Sequence, residues 1–502
     1  MEQFYAILPI LCQNADDYEL YNQILQISQE AQKIAKKHFT SFNFSRSKIT
    51  DDIIKKFAKR WSHIERLDLS HTAITHLIFP NLLTDLPALK AVNFSGCKVT
   101  DELTRSFRQL LTSPNKLESI DLSELPLTEV FLSTIAATPL SNSRALPMVL
   151  DLSFNSCARL TTPKKSAPFA RDPDRVVAFL TRKLSFKNCL DLSDSMISYL
   201  LRDLSPSYSG ALHTLDLTSC SSVTDVGCAV IALSCPNLVH LSLWNCKEVG
   251  NGGVSCLARR CKRLKYLDMT GCSQLNDNAC KFLAGIKVED PKDASAHTRL
   301  FAKVEGVQVS TPNPAGKAKV RSPKLSPKPT SKTTSTVGAV RGTTLSPKLS
   351  KFQPSQPKKS AAPKVLAPTI AGSSPQPVEE PKEEEKKEDT PPVVTTSPHG
   401  HPIGKDYGCP DLDVLLIGKI SLTNIALSVL TDGCPNISYL DIHSTASEID
   451  AKGIADFIPQ FKLAQENEGA GFTLKLGGMP LVNGCSRALK KSCPRINLSF
   501  IQ

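Results

Sequence analysis

LDLTSCSSVTDVGCAVIALSCPNLVH, residues 215–240, decides how this chain folds. Its opening alternates apolar and polar, so Leu215 and Leu217 face one side of a short strand while Asp216 and Thr218 face the other. Thr224 and Asp225 are helix-start types set just before the apolar run Val226 to Leu233, and Pro236 closes that run after Cys235. The segment therefore reads strand, turn, helix, return. One such unit leaves its apolar face uncovered, so neighbouring copies must stack, with the strands in a parallel sheet on one side and the helices packed on the other.

Copies run along most of the chain. The pattern apolar, x, apolar, polar begins at Phe42, Leu67, Val92, Ile120, Leu150, Leu184, Leu215, Leu241 and Leu267, then at Leu415, Leu440, Leu474 and Ile496. Up to Leu267 the steps are 25, 25, 28, 30, 34, 31, 26 and 26 residues, mostly inside the 20 to 29 range of leucine-rich repeats. The longer steps predict loop insertions.

The motif C-P-N-L-x-x-L-x-L-x-x-C spans Cys235 to Cys246, and parts of it return from Cys261 to Cys272 and from Cys409 to Leu415. This resembles the cysteine-containing leucine-rich repeats of F-box proteins, over roughly residues 42 to 285 and 408 to 502, although Trp61 takes the Cys position in the first full unit. The resemblance implies an α/β fold, a right-handed solenoid with its parallel sheet on the concave face and helices on the convex face. It also implies a substrate-recognition subunit of a cullin-RING (SCF-type) ubiquitin ligase, acting in ubiquitin-dependent degradation.

From Leu267 to Leu415 the step is 148 residues, 122 more than a 26-residue unit, and residues 286–407 are 122 residues long. Cutting them out joins LDMTGCSQLNDNACKFLAG to GCPDLDVLLIG and restores the unit. The excised stretch holds 18 of the 35 Pro, and its composition cannot bury enough apolar surface to offset ordering entropy, which predicts disorder. It carries 20 basic and 12 acidic residues, or +8 of the chain's +12, so the repeats themselves are only mildly basic. Ser322, Ser326, Ser346, Ser374 and Ser397 each precede Pro and are candidate phosphorylation sites. The basic tract lacks aromatic interleaving, which argues against nucleic acid as a partner.

Ahead of the repeats, residues 1–41 show helical spacing at Leu20, Ile24, Ile27, Ala31, Ile34 and Ala35. A helix there would cover the open end of the solenoid. In the resembling family this place belongs to an F-box, which binds the Skp adaptor of the ligase, and Leu8, Pro9, Leu20, Ile27 and Ile34 fall in the family's order as candidate adaptor contacts. The gap between Leu8-Pro9 and Glu19-Leu20 is shorter than in the family, and Ala31 stands at its usual Trp. A degenerate F-box and a simple capping helix are both open at this point.

The organisation predicted is thus a helical cap at 1–41, repeats at 42–285, an insertion at 286–407 and repeats at 408–502. The apolar stretch Phe4 to Leu11 is short, contains Pro9 and lacks a basic flank, which predicts neither a signal peptide nor a membrane span. Sixteen Cys are then expected as free thiols in the cytoplasm or nucleus, filling the turns between coils rather than binding metal or forming disulfides. No phosphate loop, HExxH, GxSxG or CxxC is present, so the expectation is a non-catalytic receptor without cofactor or metal. Strand alternation aims His240, Ser242 and Trp244, then Tyr266, Asp268 and Thr270, then Leu416, then Tyr439, Asp441 and His443 at the concave side. Of these His240, Trp244, Tyr266, Asp268, Leu416, Tyr439 and His443 are the candidate protein-binding residues, since large amphipathic side chains are enriched at hot spots. The alternative function is a leucine-rich repeat adaptor or scaffold with no ligase link.

Overall fold

A computed structural model of the chain describes residues 29–112, 117–128, 130–132, 151–160, 181–201, 212–288, 295–305, 408–444, 448–462, 471–478 and 496–500, with isolated positions between 487 and 494. These residues lie in one compact unit, Met1–Ser310 with Val393–Gln502. Thirteen strands form a single sheet whose spatial order is the order of the sequence, every neighbouring pair parallel. Each strand feeds a return on one face before the next strand is laid down, the right-handed connection that parallel strands require. Among the described residues no helix is long and apolar enough to cross a membrane.

The apolar residue at the centre of each strand pairs with its counterpart in the next: Leu215 with Leu241, Leu241 with Leu267, Leu415 with Leu440. All of these are buried, as are the next apolar positions Leu217, Leu243, Met269, Ile417 and Ile442. Two repeats sit two residues later than the pattern suggests. Ile120 and Leu184 both pair with Leu152, not Leu150, and Leu474 pairs with Leu498, not Ile496. A shift of two leaves the alternation intact, so periodicity alone cannot distinguish the two registers. At Leu152 the turn distinguishes them: the fourth residue after the central apolar one takes a positive φ, at Ser156 (57°) as at Ser219 (60°), Asn245 (60°) and Gly271 (77°).

The cysteines act on this turn. The thiols of Cys97, Cys157, Cys189, Cys220, Cys246 and Cys272 each donate to a backbone carbonyl of the preceding repeat, at 3.0 to 3.3 Å. A second series, Cys261, Cys409 and Cys434, donates to the carbonyl of the preceding Cys in the return. Thiols here are both filler and hydrogen-bond donors, which composition did not reveal. All thirteen described Cys are buried and unpaired by disulfides.

Leu267 pairs directly with Leu415, and an added Cβ on Gly408 would lie 3.0 Å from the Gly285 Cα, so the backbone closes where the repeat arithmetic placed it. The packed structure nevertheless continues past Gly285, which corrects the boundary of the insertion. Ile286 and Val288 are buried, and a helix at Ala296–Glu305 lies on the helices Asp225–Ser234 and Asn251–Arg260. Leu300, Phe301 and Val304 pack on the core, and the Arg260 guanidinium sits 5.5 Å from the centre of the Phe301 ring. Averaged with its Pro-rich remainder, the start of the segment hides the spacing Leu300, Phe301, Val304. Ser322, Ser326, Ser346, Ser374 and Ser397 lie outside the described residues.

At the N-terminus, Gln29–His38 is a helix, and Ile34 is half-buried against the core. Phe42, Phe44, Phe57 and Trp61 then cluster with ring centres 5.0 to 5.9 Å apart, closing the first coil with aromatic volume. Leu8, Pro9, Leu20 and Ile27 lie outside the described residues.

Candidate functional site

The candidate residues fall on adjacent strands in three rows. The first row runs His240, Tyr266, Val414, Tyr439, and the second Ser242, Asp268, Leu416, Asp441. The third, just beyond the strand ends, runs Trp244, Thr270, Gly418, His443, held by Asn245 N to Thr270 O (2.7 Å), Gly271 N to Gly418 O (2.9 Å) and Lys419 N to His443 O (2.8 Å). Trp244 therefore sits in the turn after the strand His240–Ser242 and not within it. Its ring is still presented outward, 39% exposed.

In the first row the His240 and Tyr266 rings stack face to face, 3.7 Å between centres and 8° between planes. Burial lowers the His240 pKa, so the imidazole is neutral at neutral pH. Burial, with the nearby Asp268 charge, pushes the Tyr266 hydroxyl up to about 12. Leu416 and Tyr439 are half-buried beside this stack.

The second row works differently from what alternation alone implies. Asp268, and His443 of the third row, are not open surface: they are 8% and 9% exposed. Asp216, Asp268 and Asp441 each accept the backbone N–H two residues on, at 3.0, 3.0 and 3.1 Å, a local turn that fixes the chain as it leaves the strand. Asn43 and Asn93 make the same bond in the early repeats, both at 2.8 Å. His443 Nδ1 is also 2.5 Å from Asp441 Oδ1, and Lys475 Nζ is 3.0 Å from Asp441 Oδ2. His443 is thus committed to its own repeat rather than presented to a partner. Two face residues that the sequence reading missed are Lys187, 3.1 Å from Asp216, and Lys475. Lys475 lies on the strand Thr473–Leu476, and Lys187 takes in its repeat the turn position that Trp244 takes after Leu241, so the alternation carries a signal for both.

The other half of the sheet face has a different character. Asn43, Arg66, Asp68, Asn93 and Asp121 line a shallow groove there, with Phe42 and Leu67 also on its wall. Among the described residues no group of three or more His, Cys, Asp or Glu could hold a metal ion. The thiols are poor nucleophiles, since burial raises Cys235, Cys246, Cys256 and Cys409 to about 12.

Stacked parallel strands with turn-forming Asn or Asp and buried Leu define the architecture. The fold is a leucine-rich repeat solenoid. A family profile described as Leucine Rich repeat matches residues 212–232, overlapping the repeat that opens at Leu215. No curated protein matches the chain by sequence. Among solved structures, the Rad7 and Elc1 complex of yeast is similar at 15% identity, over 56% of this chain and 86% of that one, with a TM-score of 0.29. An internalin, InlF of Listeria monocytogenes, is similar at 12% identity over 98% and 96%, with a TM-score of 0.39. TLR13 in its complex with ssRNA13 is similar at 14% identity over 94% of this chain and 54% of that one, with a TM-score of 0.38.

Proposed function

We propose that this solenoid is a non-catalytic receptor that binds a protein on the concave face of its sheet. The observation that carries this reading is Trp244, one of two Trp in the chain, exposed on the same sheet face as the His240–Tyr266 stack and Leu416. Aromatic groups at the centre of an open, rigid surface are the types that dominate binding energy. The rigidity has a visible source in the sheet, whose strands are pinned on both sides.

The more specific role is substrate recognition for a cullin-RING ubiquitin ligase, in the cytoplasm or nucleus. Its support is the repeat motif from Cys235 to Cys246, together with an N-terminal segment in the place where the resembling family docks the Skp adaptor. The buried free thiols fit a reducing compartment. One observation favours the second reading, a scaffold without ligase: Ile34, a candidate adaptor contact, packs on the solenoid core as a capping residue would.

Two measurements on the full chain test this. Purified Skp-type adaptor and cullin should be captured, and capture should vanish on deleting residues 1–40; no capture by the full chain leaves the scaffold. Trp244→Ala should keep the melting temperature while weakening partner binding by about 2 kcal/mol or more. Unchanged binding would overturn the concave-face assignment.

A further inference from the structure

Asp268 is distinguished from the other acids of its row by what it lacks. The turn needs an acceptor at this position and not a charge, because Asn43 and Asn93 make the same bond as the aspartates. Asp216 has Lys187 at 3.1 Å, and Asp441 has Lys475 at 3.0 Å with His443 at 2.5 Å. Asp268 lies between them, 8% exposed, and among the described residues no Lys, Arg or His forms an ion pair with it. Its neighbours in the row are Ser242 and Leu416, neither of which brings charge. A carboxylate withdrawn from water without a cation is costly, and the charges of Asp216 and Asp441 oppose its ionisation further.

The residues on its own strand and on the neighbouring coil are suited to a cation. Tyr266, two residues before it, is stacked with His240, whose lowered pKa leaves no positive charge of its own. Trp244 lies on the neighbouring coil, where Leu243 N donates to Asp268 O at 2.7 Å, and its ring is outward. Aromatic faces attract guanidinium and ammonium groups, and a nearby carboxylate supplies the opposite charge.

We propose that Asp268, Trp244 and Tyr266 form a subsite for one cationic side chain, Arg or Lys, of the bound protein. The charge would meet Asp268, and the flat or methylene portion would lie against the rings. This rests on the reading that the concave face is the protein-binding face, and it adds the chemistry of what is bound there.

The test uses the full chain labelled with 5-fluorotryptophan, with Trp244→Phe assigning the Trp244 resonance against that of Trp61. The probes are N-acetyl-arginine amide and its neutral isostere N-acetyl-citrulline amide. The arginine probe should shift the Trp244 resonance with at least threefold tighter apparent binding than citrulline. Asp268→Asn should abolish that preference, and the turn bond made by Asn43 and Asn93 shows that the substitution suits this position. Asp268→Ser is the second variant, since Ser242 occupies the same row. Equal response to both probes, no response to either, or a preference that survives both variants would overturn the proposal. The two readings separate in partner capture. Loss on Trp244→Ala with none on Asp268→Asn keeps the face and discards the cation, whereas indifference to both discards the face as well.

Discussion

Thr423 and Asp277 are 146 residues apart in sequence, yet they are bonded as neighbours: the Asp277 carboxylate accepts from Thr423 N at 2.8 Å and from Thr423 Oγ1 at 2.5 Å. The same pair of bonds joins Thr75 to Asp51, Thr128 to Asp101 and Thr224 to Asp194 across ordinary repeats. In each case Thr caps its own helix while an Asp near the start of the preceding helix, or just ahead of it, holds the cap. The contact between helix starts is therefore blind to how much chain intervenes, and this is how a repeat array tolerates a long excursion.

Thr423→Val should accordingly destabilise the chain by about 1 to 2 kcal/mol, because it removes the cap on Ile425 N (3.1 Å) and a bond to a carboxylate. Urea denaturation measures this. A double-mutant cycle with Asp277→Ala should show a coupling of at least about 0.5 kcal/mol. Additive effects would mean that the two side chains do not act together.

Removing the excursion should separate two roles. A chain lacking residues 311–392 should melt close to the full chain. A chain joining Gly285 to Gly408 should fold, since the two backbones already meet, but it should melt several degrees lower. That deletion removes buried Ile286 and Val288 and the helix Ala296–Glu305 that packs through Leu300, Phe301 and Val304. Calorimetry on the two deletions distinguishes them, and identical melting temperatures would show the helix to be ornamental.

The thirteen buried thiols should be silent to a disulfide reagent at pH 8 in the native protein and react only as it unfolds. Cys246→Ala should cost about 1 kcal/mol through the lost bond to Leu217 O at 3.1 Å, and Cys246→Ser should not restore it fully because the site is otherwise apolar. Rapid native labelling of Cys246, identified by mass spectrometry, would contradict the burial.

The repeat fold could be read from the sequence because its signal is redundant: thirteen copies of one alternation, each with an apolar residue, most often Leu, inward. Leu150 and Ile496 were misplaced by two residues because alternation repeats every two. The positive-φ position that settles the register at Leu152 is filled across the repeats by Ser, Asn, Arg, His, Glu, Lys and Gly alike, so it leaves no fixed letter. On the binding face, Trp244, Tyr266 and His240 were legible from alternation. The difference between Asp216 and Asp268 was not, because it depends on whether a lysine one or two coils away can reach across, and reach is a property of packed strands.

The pH response of Asp268→Asn follows from that difference. Burial, with the neighbouring acids, raises the folded-state pKa of Asp268 above its ordinary 3.8. Between those two values the native state holds the proton while the unfolded state has released it, so stability falls as pH rises through that interval. Above the raised value the full penalty of an ionised buried carboxylate is present. Asn keeps the bond from Thr270 N and carries no charge, so it escapes the penalty. The variant should therefore melt above wild type at pH 7, and the gap should close as pH falls below about 3.8, where Asp268 is protonated in both states. Acid titration of the groups that do not feel the Asp268 charge is common to both proteins and cancels in the difference. A gap that is constant with pH, or one that opens only in acid, would show that Asp268 is paired in the native protein, and the cation subsite would lose its basis with it.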